Sequence, residues 1–114
     1  MNLEHLFNQK KILVAGGTGF VGSNMIEALL GVGALVRATR HKNQPQIVDS
    51  RIEYVQTDCL RKEDCAHAVA GMDFVIMAAA NTSGAAVIEK TPLVHVTPNV
   101  IMNALMLEAA YEAG

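Results

Sequence analysis

The chain has 114 residues, of which 51% are hydrophobic and 18% charged, with a formal net charge of -2. That length holds one core and no more, and the slight negative balance argues against a nucleic-acid or anionic-membrane surface. No apolar run approaches the roughly 18 residues of a membrane span, and the opening MNLEHLFNQKK lacks the apolar centre of an export signal. A cytoplasmic setting is therefore expected. Cys59 and Cys65 are expected to pack as free thiols rather than form a disulfide. No metal site is expected, because Cys65 and His67 have no second Cys/His pair to complete a tetrahedron.

Taken in chain order, residues 1–9 read as a lead-in with a short helical turn. KKILVA is a strand, and a glycine-rich loop follows it. A helix from about Phe20 to Leu30 carries Val21, Met25, Ile26, Leu29 and Leu30 on one face, and Gly31 and Gly33 stop it. ALVRAT is a second strand and HKNQPQ a polar loop. RIEYVQ is a third strand, with Ile52, Tyr54 and Gln56 on one face. RKEDCAHAVA is a short helix with acids in its first turn and Gly71 at its end. MDFVIMAAA is apolar on both faces, as a strand covered on two sides would be. NTSGAAVIEKTPLVHV shows no period and reads as a loop, with or without a short helix. Thr97-Pro98 then predicts an N-cap and the start of a last helix, running to Ala113. Alternation of this kind predicts an α/β fold with a parallel, doubly wound sheet of the Rossmann type, of which four strands and their helices are present.

The glycines carry the chemistry. Gly16-x-x-Gly19-x-x-Gly22, with Gly17 beside the first, follows a strand and opens a helix, which is the setting a dinucleotide fingerprint needs. Gly16 would allow the tight turn, Gly19 the approach of a pyrophosphate, and Gly22 the packing of helix on sheet. The helix N-terminus, at Phe20 and Val21, would offer free N–H groups to phosphate oxygens, and Thr18 a hydroxyl. The loop is not a P-loop, since no Gly-Lys-Ser/Thr follows.

AGGTGFVGSNMIEALL resembles the start of the extended short-chain dehydrogenase/reductases, the NAD-dependent epimerase/dehydratase group that acts on nucleotide sugars, and the likeness runs from about residue 10 to the end. The resemblance implies that Asp58, with Cys59 beside it, meets the adenine. It implies that Ala78, Ala79 and Ala80 lie along the cofactor, and that Asn99 opens the NV…LEAA helix near it. Thr82 and Ser83 are candidates for touching substrate or ribose. An NAD site places a carboxylate at the end of the second strand. Here VRATRHK has none, and Arg40 stands in that place with Arg37 three residues before it. An arginine pairs with a 2′-phosphate that a carboxylate would repel, so NADP(H) is favoured, with NAD(H) the alternative. Solvated surface arginines are the other reading of that segment. RATRHK also resembles the strand-two end of GDP-fucose synthases, reductive epimerases that use NADPH.

Catalysis in that family depends on a Tyr-x-x-x-Lys pair after a fifth strand. Tyr54 is followed four residues later by Asp58, and Tyr111 stands three residues before Gly114, so no catalytic residue is assigned. Residues 1–114 are expected to be the NAD(P)-binding domain of a longer enzyme, cut before that segment. With strand order 3-2-1-4, strand four would be an exposed apolar edge and the isolated piece poorly soluble. The full-length protein is expected to be a homodimer acting on a small nucleotide-sugar substrate. A non-catalytic dinucleotide sensor and a reductase of a non-sugar carbonyl are the alternatives.

Overall fold

Strands form where β-branched and apolar residues cluster, and helices where apolar residues recur every three or four positions. The computed structural model describes residues 6–41, 44–45, 47–78 and 93–114. Its elements are β1 (Lys11–Ala15), α1 (Phe20–Gly31), β2 (Leu35–Arg40), β3 (Ile52–Gln56), α2 (Lys62–Val69), β4 (Phe74–Met77) and α3 (Leu93–Ala113). The strands make one 4-stranded parallel sheet in the order β3-β2-β1-β4. Among the described residues no helix is long and apolar enough to cross a membrane.

β1 is the centre of the sheet, and Ile12, Leu13, Val14 and Ala15 are wholly buried. Its alternate side chains feed two cores. Ile12 and Val14 pack with Ile26, Leu29 and Leu30 of α1 and with Val36 and Ala38 of β2. Leu13 and Ala15 pack with Cys65, Ala68 and Val69 of α2 and with Met102, Met106 and Ala109 of α3. Helices thus cover both faces of the sheet, as the sequence pattern predicts. Burial of each large side chain contributes about 1.5–3 kcal/mol, so β1 dominates the cohesion of the fold.

Helix ends are closed by different means. α1 ends through Gly33, with φ +81°. There the Ala34 N–H bonds to Leu29 O and the Gly33 N–H to Leu30 O, the paired reverse bonds of a Schellman motif. Two arginines then take further carbonyls: Arg51 Nη1 donates to Leu30 O at 3.2 Å, and Arg37 Nη1 donates to Ala68 O and Ala70 O at 2.9 and 2.8 Å. Arg37 Nε also bonds Glu53 on β3 at 2.8 Å. A cation among helix-end carbonyls neutralises the negative pole of the dipole. Arg37 is therefore a brace between sheet and α2, neither a solvated residue nor a neighbour of the glycine loop.

Two expectations need correcting. α3 begins at Leu93 rather than Pro98, and Pro98 lies inside it. As the sixth helical residue, Pro98 lacks the N–H that would reach back one turn and crowds the carbonyl it would have met, so the helix carries a local defect there. Asn99 is consequently an interior helical residue rather than an opening one. β4 is shorter than MDFVIMAAA, spanning Phe74–Met77. It is the sheet edge, as expected, with Val75 and Met77 turned to one core and Ile76 to the other. Phe74 meets Phe7 edge to face with ring centroids 5.5 Å apart, which shields the start of that edge.

Cys59 and Cys65 are buried free thiols. Burial, then the neighbouring Cys59 sulfur, pushes the Cys65 thiol up from 9.0 to about 11. The folded state therefore holds a proton that the unfolded chain releases first. Stability should be full below pH 9 and fall as pH rises toward about 11, read as the urea midpoint across that range. Cys65→Ala should be less stable at neutral pH but flatten the alkaline decline. Arg37→Ala, which leaves the α2 carbonyls and Glu53 unpartnered, should cost about 1–3 kcal/mol in the same measurement.

Candidate dinucleotide site

The chain runs from β1 outward to β2 and β3, then returns to lay β4 on the other side of β1. α1, which follows β1, and α3, which follows β4, consequently cover opposite faces of the sheet, and folds of this kind take their ligands in the crevice at the carboxyl edge between two such strands. Residues 16–22 form one lip. Ala78, whose N–H bonds Ala15 O at 2.8 Å, begins the other. Ala79, Ala80, Thr82 and Ser83 lie outside the described residues.

The four glycines differ in what forces them. Gly16 has φ +86°, a left-handed turn that side chains disfavour. A Cβ at Gly17 would stand 2.6 Å from the Cβ of Ala38, so Gly17 is where the loop presses on β2. A Cβ at Gly22 would stand 2.0 Å from Gly16 O, so Gly22 lets α1 close on its own loop rather than on a strand. At Gly19 the nearest obstacle is Gly16 O at 3.7 Å, an ordinary contact, and φ is -81°. The protein itself does not require glycine there. The missing side chain instead leaves room in front of the helix, where a large group can lie against main chain.

That helix end is built for an anion. Intrahelical bonding starts with the Ser23 N–H on Gly19 O at 2.9 Å, so the amides of Phe20, Val21 and Gly22 precede the ladder. Gly19 is the N-cap without a side-chain cap, and the first turn has no acid to compete with an incoming anion. Phe20 and Val21 are 81% and 61% exposed, their side chains turned away from the core. Thr18 is buried.

At the end of β2, Arg40 is half-buried, and its Nε is buried without a hydrogen-bond partner among the described residues. A desolvated guanidinium nitrogen left unpaired is costly, which fits a site completed by an anionic ligand. Asp58 follows β3. Its N–H bonds Asp64 Oδ2 at 2.9 Å and its Oδ1 accepts the Leu60 N–H at 3.0 Å, so the turn before α2 is fixed. Cys59 points inward: burial raises its thiol pKa and a hydrogen bond with Thr39 opposes that rise. Asn99 lies on α3, where its carbonyl accepts the side chain of Asn103.

Sequence reasoning missed Thr39. Its hydroxyl accepts the Gly16 N–H at 2.7 Å, and its carbonyl accepts the Gly17 N–H at 3.0 Å. One residue of β2 thus grips both glycines at the turn. A threonine inside an apolar-rich strand was the available signal, but its meaning depends on the register of β1 against β2.

A second cleft, of about 270 Å³, lies at the amino ends of the strands and is lined by Lys11, Arg37, Arg51 and Glu53. Arg37 and Arg51 are spent there on helix carbonyls and on Glu53 and Asp49, so it is a structural cleft rather than a receptor.

Gly19→Ala should keep stability within about 1 kcal/mol, since the new methyl meets only an ordinary contact. Gly22→Ala should cost about 3 kcal/mol or more, because the Gly16 main chain has to move. Urea unfolding of the two variants separates a glycine kept for the fold from one kept for a ligand; equal losses would remove that distinction.

The profile of the NAD dependent epimerase/dehydratase family matches residues 12–114. The chain is 34% identical over 107 residues to a 3-beta-hydroxysteroid dehydrogenase of Mycolicibacterium neoaurum, covering 91% of this chain and 29% of that protein. An epimerase from Methanothermobacter thermautotrophicus superposes with a TM-score of 0.83 at 26% identity, over 97% of this chain and 34% of that one. A UDP-glucose 4-epimerase of Thermus thermophilus, in complex with NAD, gives a TM-score of 0.77 at 26% identity, over 91% of this chain and 34% of its own. The chain spans about a third of the length of these proteins. With the profile matched from the first strand to the last helix, this chain belongs to the NAD dependent epimerase/dehydratase family.

Proposed function

We propose that the chain is the cofactor-binding part of an NAD(P)-dependent oxidoreductase or epimerase, and that NADP(H) is its preferred cofactor. The observation that carries this reading is Gly19, a glycine that the fold does not need, at a helix N-terminus with free amides. A pyrophosphate would lie against residues 16–22, contacting the amides of the first turn of α1. Asp58 and the main chain at Cys59 would flank the adenine, and Ala78 would border the opposite lip of the crevice. The bound nicotinamide would supply or accept hydride, the chemistry that side chains lack. The described residues bind and orient it. Neither tyrosine serves: Tyr54 donates its hydroxyl to Ile47 O at 2.8 Å, and Tyr111 is 86% exposed at the end of α3.

Arg40 supports the choice of NADP(H). It ends β2, where NAD-binding members of the fold carry an acid, and its Nε has no internal partner among the described residues. Arg37 is excluded from that role by its bonds to Glu53, Ala68 and Ala70.

The substrate reading from sequence is a nucleotide sugar, with the GDP-fucose synthases as the subgroup suggested by RATRHK, and the fold shared with a UDP-glucose 4-epimerase is compatible with it. A second reading, reduction or oxidation of a non-sugar carbonyl or alcohol, gains support from the 34% identity to a hydroxysteroid dehydrogenase. A homodimer is proposed for the assembled enzyme. The outward row Val100, Leu107 and Tyr111 on α3 supplies apolar surface for a second copy.

Titration with NADP⁺ and NAD⁺ tests the cofactor assignment. NADP⁺ should bind more tightly, and Arg40→Ala should lower its affinity about tenfold or more while sparing NAD⁺. Equal affinities, or a preference for NAD⁺, would remove the role given to Arg40. Gly19→Ala should weaken both dinucleotides.

A further inference from the structure

We propose that Thr39 is a positioning residue of the dinucleotide site, its buried hydroxyl setting the shape of the loop on which the pyrophosphate rests. The proposal rests on the cofactor reading above. It begins from a problem in the hydrogen bonding at the end of the sheet. The ladder between β1 and β2 runs to Val14 and Ala38, and beyond it the chain must turn at Gly16 with φ +86°. The Gly16 N–H still needs an acceptor. Nearby carbonyls are engaged: Thr39 O accepts from Gly17, and Arg40 O accepts from the Thr57 N–H at 2.8 Å. The Thr39 hydroxyl meets the need at 2.7 Å.

Thr39 is only 2% exposed, so its hydroxyl is turned inward and water replaces it poorly in this part-buried bond. Its rotamer is held by the Gly16 amide, whose N–H the hydroxyl accepts. A β-branched side chain has few rotamers to begin with. The consequence passes directly to the site. The carbonyl of Gly16 is the surface on which Gly22 closes, and it accepts the Gly19 N–H at 3.2 Å. The hydroxyl holds the Ala15–Gly16 peptide and the Thr39 carbonyl holds the Gly16–Gly17 peptide, so a tilt of the first passes through Gly16 to the second, and with it to Gly19 and the first turn of α1. Thr39 also adjoins Arg40, so one residue ties the pyrophosphate loop to the group that meets the ribose.

Thr39 acts through the turn and not on the 2′-phosphate, and this sets its signature apart from that of Arg40. Thr39→Val keeps the shape and removes the hydroxyl. It should lower affinity for NADP⁺ and NAD⁺ by the same factor, about fivefold or more, leaving their ratio unchanged. In the protein without nucleotide, amide exchange at Gly16 should accelerate by a similar factor. Thr39→Ser restores the hydroxyl and should return both readouts to within about threefold of wild type, which a loss of packing alone would not do.

If Thr39→Val folds and binds both dinucleotides as wild type does, the proposal is overturned while the cofactor reading stands. A loss confined to NADP⁺ also overturns it, since the hydroxyl would then act at the ribose. If wild-type protein binds neither dinucleotide, the cofactor reading falls and takes this proposal with it. Should Thr39→Val not fold, Thr39→Ser decides: wild-type protection of the Gly16 amide together with near-wild-type affinity is the required result, and the loss of either overturns the proposal.

Discussion

The structure depends on one close approach, that of the α1 backbone at Gly22 to the carbonyl of Gly16. A side-chain carbon at residue 22 would lie 2.0 Å from that oxygen. The helix and the turn that launches it therefore share a single position, and moving either moves both. Because the turn is continuous with β1, the most deeply buried strand, the helix N-terminus inherits the rigidity of the core. An anion site made of main-chain amides needs that rigidity, for it has no side chains that could adapt to a ligand. The acceptor that Thr39 supplies to Gly16 belongs to the same arrangement.

Much of this could be read from residue types. Strand-glycine-helix punctuation located β1 and α1, and the run FVIM gave β4 its neighbours on both faces. The strand order followed from the usual order of the Rossmann fold, since alternation by itself allows others. The boundary of α3 was misread at Thr97-Pro98 because proline is favoured at a helix start and disfavoured beyond the first turn, whereas here it is the sixth helical residue. Arg37 and Arg40, three residues apart, look equivalent in the sequence. The structure separates them, one bonded to three internal acceptors and the other with a buried nitrogen that has no partner among the described residues. Gly17, an extra beside the fingerprint spacing, has no role in the sequence reading, and only its distance to Ala38 supplies one. What escaped sequence reasoning is what depends on register: which side chain of β2 comes level with which amide of the loop.

The family match and the folded geometry bear on different levels. Residues 12–114 belong to a group defined by nicotinamide chemistry, and the crevice between β1 and β4 is where that fold places its ligand. Discrimination between substrates is another matter, since no residue described here faces a reacting carbon. The relatives themselves include a hydroxysteroid dehydrogenase and a sugar-nucleotide epimerase, so the shared third is compatible with chemically dissimilar substrates.

The placement of the two arginine braces has an evolutionary consequence. Arg37 and Arg51 fasten the trailing ends of α2 and α1 at the amino edge of the sheet, the full length of the strands away from the glycine turn. The helix-end braces and the glycine turn thus occupy opposite poles of one scaffold. Drift in the side chains around the turn, as distinct from the close-packed Gly17 and Gly22, leaves those braces intact, so a lineage can vary the surroundings of the turn without first becoming unfoldable.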